Sequence, residues 1–245
     1  MIELVHFQLT KHCNLRCWFC GQWGNKGFFS ESKGTPMSFD DWKQAADQLA
    51  EYGTAVGALP DIILWGGEPL MAPYFADLVH YLRRKGFTLG LVTNGVLLNK
   101  HAELIREAFR HIYVSVDGDR ECHDAVRGKG VFDCVSRNLG LIQGGNAYIS
   151  LMCVISESNL QKLEQIPTVL SELPCDEIIL QEMIGLSSEE IAQYKKWMEE
   201  AFRVRASDID GWENSIPEDA RKQDTLRRIL DKTYKKPVKY IPHGI

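Results

Sequence analysis

An α/β fold built on parallel strands is what this sequence predicts. Three observations carry that expectation. Short apolar runs alternate six times with stretches of helical periodicity. Glycine, proline, Asn-Gly and Asp-Gly punctuate the junctions. The segments richest in chemical groups fall just after the apolar runs, where parallel strands of a barrel gather their active groups.

The elements follow in order. Residues 3–9, ELVHFQL, read as the first strand, and a cysteine-rich loop follows directly. A polar, glycine-containing stretch, residues 24–36, leads to a helix. Ser38 with Asp41 three residues on forms a capping-box pattern, and Phe39, Trp42, Ala46 and Leu49 recur at helical spacing. Ile62 to Trp65 is wholly apolar, as expected of a strand buried on both faces. The next helix is expected from about Pro73 to Gly86. Thr88 to Thr93 gives a third strand, residues 101–109 a helix, and His111 to Val116 a fourth strand. Asp119 to Gly130 reads as a polar loop. Phe132, Val135, Leu139 and Ile142 lie on one helical face that stops at Gly144-Gly145. Tyr148 to Ile155 is a fifth strand. The helical pattern from Asn159 to Leu173 contains Pro167, which is expected to break it and open a second piece. Glu177 to Gln181 is a sixth strand, and Ser187 with Glu190 caps a further helix.

The chain has 245 residues, 44% of them hydrophobic, enough for one substantial core. A net charge of −5 argues against a nucleic-acid footprint. No apolar run is long enough to span a bilayer, and the N-terminus lacks the pattern of a signal peptide. The expectation is a cytoplasmic protein with neither nucleic acid nor membrane as partner. Residues 1–204 are expected to form the main domain and residues 205–245 a polar, partly helical C-terminal extension. A helix is expected around residues 218–232, and the extension could lead into a further domain.

The chemistry concentrates in HCNLRCWFCGQW, residues 12–23. Cys13, Cys17 and Cys20 stand in a C-x3-C-x2-C pattern. Thiolates suit zinc, copper(I) and iron–sulfur clusters. A structural zinc site closes with four protein ligands, and spacing alone leaves open zinc with His12 as the fourth. Three cysteines on a cubane cluster would leave one iron open. The other cysteines, at 122, 134, 153 and 175, are scattered and suggest no disulfide framework. Cys134 and Cys153 read as small core residues. Cys122, in the loop near the strand ends, is a candidate reactive thiol.

With Phe19 just before the last cysteine, this motif resembles the signature of radical S-adenosylmethionine (SAM) enzymes. GGEP at residues 66–69 and VSVDG at 114–118 follow in the matching order. The resemblance implies a partial (β/α)6 TIM-type barrel. It implies a [4Fe–4S] cluster on Cys13, Cys17 and Cys20, with SAM on the open iron. One electron then splits SAM to a 5′-deoxyadenosyl radical that abstracts hydrogen from a substrate. It places SAM near the backbone of Phe19, Gly66 and Gly67, with Glu68 on its α-amino group. Ser115 would lie near the ribose or methionine carboxylate and Arg127 on the carboxylate. Val154 and Met183 would pack the adenine, and Asn94 would touch ribose or only make a turn. For Val154 and Met183 ordinary core, and for Arg127 a surface position, are the plainer alternatives.

The VSVDG segment favours a peptide or protein side chain as substrate. A glycyl-radical-enzyme activase, or an enzyme of cofactor or small-molecule biosynthesis, is the alternative; a non-catalytic zinc module is one of another class. A flavodoxin- or ferredoxin-type electron donor is implied. His12, Trp23, Phe28, Phe29, Tyr113, His123 and Gln181 are unranked candidates to face the substrate. No cysteine follows Cys175, whereas many relatives with VSVDG carry a C-terminal cysteine-rich domain.

Overall fold

A computed structural model of the protein describes residues 1–22, 36–183, 185–205 and 220–242. Seven parallel strands form one open sheet in strictly sequential order. They are β1 (Leu4–Thr10), β2 (Asp61–Gly66), β3 (Leu89–Thr93), β4 (His111–Ser115), β5 (Tyr148–Ile155), β6 (Glu177–Glu182) and β7 (Val238–Ile241). The helices are α1 (Phe39–Val56), α2 (Phe75–Arg84), α3 (Ala102–Ala108), α4 (Arg120–Arg127), α5 (Val131–Ile142), α6 (Ile166–Leu170), α7 (Ser188–Phe202) and α8 (Ala220–Leu230). An all-parallel sheet in sequence order, with helices between strands, is the wall of a partial TIM-type barrel.

Strand alternation divides the sheet into two unlike faces. Phe7, Leu9, Ile62, Leu64, Leu91, Val114, Leu151 and Leu180 are buried against helical residues such as Phe75, Leu82, Ile105 and Leu139. The intervening Ile63, Val92, Tyr113, Met152, Val154 and Gln181 are only half-buried. β2 is therefore covered on one face, not on both as its apolar run suggests: Ile63 and Trp65 belong to the open face.

Local signals act where the sequence places them. Ser38 and Ser187 each form a complete capping box, opening α1 and α7. Gly86 and Gly144 follow α2 and α5 with φ of +90° and +71°, which favour glycine. Pro167 sits in the first turn of α6, after a 3₁₀ segment over Leu160–Gln165, so the break falls where expected. α2 begins at Phe75 instead of Pro73, preceded by a 3₁₀ turn at Pro69–Met71.

Two differences bear on function. The stretch expected as a loop after β4 contains α4, whose N-cap Asp119 accepts a hydrogen bond from the Cys122 N–H at 2.9 Å. Its polar sequence hid a helix that turns Cys122, His123, Val126 and the Arg127 side chain inward. The tail also carries more than a helix: β7 pairs with β6 and extends the sheet beyond the six expected strands. Lys222 of α8 meets Glu182 of β6 at 2.6 Å, with both side chains buried.

Candidate functional site

The carboxyl ends of the strands surround a cavity of about 260 Å³. Cys13, Cys17 and Cys20 line one wall together with Phe19. Gly66, Gly67 and Asn94 line a second, and Ser115, Arg127, Val154 and Met183 complete it. Every SAM-site residue read from the sequence lines this space except Glu68. Leu15, Val92, Thr93, Gln181 and Glu182 line it too; of these only Gln181 was a candidate from sequence.

The cysteine loop is stitched to the turn after β2. Gly67 donates its N–H to the Thr10 carbonyl at 2.8 Å, and Glu68 donates to the His12 carbonyl at 2.8 Å. A Cβ at residue 67 would meet that same His12 oxygen at 2.1 Å, so only glycine permits the approach. Glu68 is fully buried behind the wall. Its Oε1 accepts from the Leu70 N–H (3.1 Å) and the Thr93 hydroxyl (2.8 Å), and its Oε2 from the Asn94 N–H (2.8 Å). Burial outweighs these donors and lifts its pKa to about 7.

Arg127 ends α4 and is buried, not a surface arginine on a loop. Its Nε donates to Asp117 Oδ2 at 2.6 Å. Burial opposes its charge, but Asp117 and the Cys17 sulfur hold it protonated. Asp117 does more than close the Asp-Gly turn. Its Oδ1 accepts from the Val154 N–H at 3.0 Å, its carbonyl accepts from Asn159 Nδ2 at 3.1 Å, and its own N–H donates to His123 Nδ1 at 3.1 Å. This buried frame fixes Arg127 and Val154 relative to each other. Separation in sequence concealed it.

Burial raises the Cys13 thiol and pushes Cys17 up to about 11. Bound iron would have to displace those protons. Among the described residues no three His, Cys, Asp or Glu side chains converge closely enough for a single metal ion. His12 is exposed and lies off the cavity. A cubane takes each thiolate on a separate iron, a demand that three thiols on one cavity fit. The apolar Phe19, Val154 and Met183 fit a purine.

The remaining candidates disperse. His123 is fully buried in the Asp117 frame, with its pKa depressed to about 4 by burial and then by Arg127. Tyr113 stacks on His111 with ring centres 4.1 Å apart on the open face. Cys122 is buried on α4, and burial pushes its thiol up to about 11, so it is not a reactive thiolate. Cys153 is fully buried, as expected of a core residue, while Cys134 is half-buried. Trp23, Phe28 and Phe29 lie outside the described residues. Among the described residues no helix is long and apolar enough to cross a membrane.

Three thiols at the carboxyl end of a parallel partial barrel, beside a glycine turn and one cavity, make a donor set of the kind an iron–sulfur enzyme needs. The radical SAM superfamily model matches residues 7–167, and the chain belongs to that superfamily, whose enzymes use a [4Fe–4S] cluster and SAM. It is 31% identical over 172 residues to an Fe-coproporphyrin III synthase of Methanosarcina barkeri, covering 69% of this chain and 41% of that protein. It is 26% identical over 172 residues to the antilisterial bacteriocin subtilosin biosynthesis protein AlbA of Bacillus subtilis, covering 68% and 36%. Its fold matches Streptococcus suis SuiB with a TM-score of 0.64 at 12% identity, over 99% of this chain and 49% of SuiB. SuiB has also been solved bound to S-adenosylmethionine and to the precursor peptide SuiA. The chain spans less than half the length of these proteins.

Proposed function

We propose that this chain is the catalytic core of a radical SAM enzyme acting on a peptide or protein side chain. The observation that carries the enzymatic part is the convergence of all three motif cysteines on one cavity with Gly66, Gly67, Arg127, Val154 and Met183. When bound, the cluster supplies one electron that splits SAM and so yields the hydrogen-abstracting adenosyl radical. The chain's own residues bind and orient. Cys13, Cys17 and Cys20 hold iron. The pairing of Arg127 with Asp117 uses only Nε, leaving the terminal guanidinium nitrogens for the SAM carboxylate. Glu68 lies behind the cavity wall, so its part is to brace the Asn94 backbone through Oε2 and not to meet the α-amino group directly. Ser115 sits near the ribose or carboxylate, Val154 and Met183 flank the adenine, and the backbone of Phe19, Gly66 and Gly67 closes around it. Asn94 belongs to the cysteine loop more than to ribose. A flavodoxin- or ferredoxin-type protein supplies the electron.

The peptide reading is supported by VSVDG and by the similarity to AlbA, a bacteriocin biosynthesis protein, and to SuiB, solved with a precursor peptide bound. The similarity to an Fe-coproporphyrin III synthase favours a second reading, a cofactor-biosynthetic substrate. Residues 1–204 are proposed as the radical SAM barrel, with the tail as an extension that docks on it through β7 and α8. Anaerobic reconstitution tests the core reading. It is expected to give a brown protein with about four irons per chain and 5′-deoxyadenosine after dithionite reduction. Cys17→Ala is expected to abolish both; normal SAM cleavage by that variant refutes the ligand assignment.

A further inference from the structure

We propose that Asn94 tunes the reduction potential of the cluster by donating an N–H···S hydrogen bond to Cys13. The proposal rests on Cys13 being a cluster ligand.

The backbone N–H and both polar atoms of the Asn94 side chain are committed, which fixes the side chain's orientation. Its backbone N–H is held by Glu68 Oε2 at 2.8 Å. Its side-chain Oδ1 accepts the Val96 N–H at 3.0 Å, so the amide nitrogen must face the other way. There Nδ2 donates to Asn14 Oδ1 at 2.8 Å and lies 3.6 Å from Cys13 Sγ, a normal length for a hydrogen bond to sulfur. The two hydrogens of Nδ2 are thus both accounted for. The Leu15 N–H adds a second donor to Cys13 Sγ at 3.4 Å. Asn94 is buried, and a low local dielectric strengthens a dipole aimed at charge.

Reduction adds one electron to the cluster and increases the negative charge on the ligating sulfur. An N–H dipole pointed at that sulfur stabilises the reduced state more than the oxidised one. Hydrogen bonds to cluster sulfurs are an established lever on potential. Glu68 takes part indirectly, because it anchors the backbone from which the Asn94 side chain reaches.

The test is a redox titration of the reconstituted cluster with dithionite, followed by electron paramagnetic resonance, in wild type, Asn94→Ser and Asn94→Ala. A serine hydroxyl can still cap the Val96 N–H but cannot reach Cys13. The expected result is unchanged iron content and about a tenfold fall in the one-electron reduction equilibrium, ~59 mV more negative. Variants with full iron and the wild-type potential overturn the proposal. A wild-type chain that assembles no cluster overturns the ligand reading instead, a different result. A second measurement needs no stable variant. In SAM-free wild-type protein labelled with ¹⁵N at the asparagine side chains, the reduced cluster is expected to show hyperfine coupling to nitrogen. Absence of that coupling overturns the proposal.

Discussion

Asp117→Asn is the most informative single perturbation. The substitution keeps an acceptor for the Val154 N–H but removes the charge facing Arg127. The two side chains are 0% and 8% exposed, so water screens the pair little. Breaking such a pair leaves a buried guanidinium without compensation, at a cost of about 3–5 kcal/mol. With a urea slope of about 3 kcal/mol/M, the unfolding midpoint of the cluster-free protein is expected to fall by ~1–2 M. Circular dichroism during urea titration measures it. Asp117→Asn combined with Arg127→Met removes both charges and is expected to recover most of the loss. A single variant within about 0.5 kcal/mol of wild type, or a double variant no more stable than the single, refutes the frame as a buried ion pair.

Further expectations concern the same architecture. Gly67→Ala forces a Cβ against backbone oxygens of Lys11 and His12 at 2.8 and 2.1 Å, so the cysteine loop must shift. A misplacement of about 1 Å can cost on the order of a hundredfold in rate, measured here as 5′-deoxyadenosine formed per iron. His123 has a folded pKa of about 4, below its ordinary value. The unfolded chain therefore binds the extra proton first. The stabilisation is whole above about pH 6.5 and lost as pH falls to about 4, ~3 kcal/mol in all. Urea midpoints across that range should show the loss, and His123→Gln, which cannot titrate, should flatten it. Phe75→Ala empties a fully buried site between α2 and the sheet and should cost about 3–5 kcal/mol in the same titration. Lys222→Met should speed amide exchange in α8 without changing that of β2 or β3, because its partner Glu182 ties α8 to β6.

Much of this was legible in the sequence because local periodicity and spacing specified it. Six strands and the capping boxes at Ser38 and Ser187 arise from patterns a few residues long. The cysteine motif marked the cavity for the same reason. What stayed hidden depends on contacts distant in sequence. α4 looked like a loop because a short helix needs few inward-facing apolar residues and most of the others are charged. β7 is four residues long and interrupted by Lys239, so its pairing with β6 is what makes it a strand. Arg127 resembled an exposed side chain until Asp117, ten positions earlier, came to face it. Asn94 could be read as a turn or a ribose contact, and it does make the turn. Its bond to Cys13 spans 81 positions and leaves no local trace.

The pairing of residues 10–12 with residues 67–68 makes two remote stretches of chain one mechanical unit. Neither can drift without dragging its neighbour, since only backbone lies between them. A lesion that loosens the cysteine loop therefore also deforms the floor on which a nucleoside would rest. On the proposed function, metal retention and ligand affinity, separate quantities in many proteins, are coupled by a glycine that has no room for a methyl group.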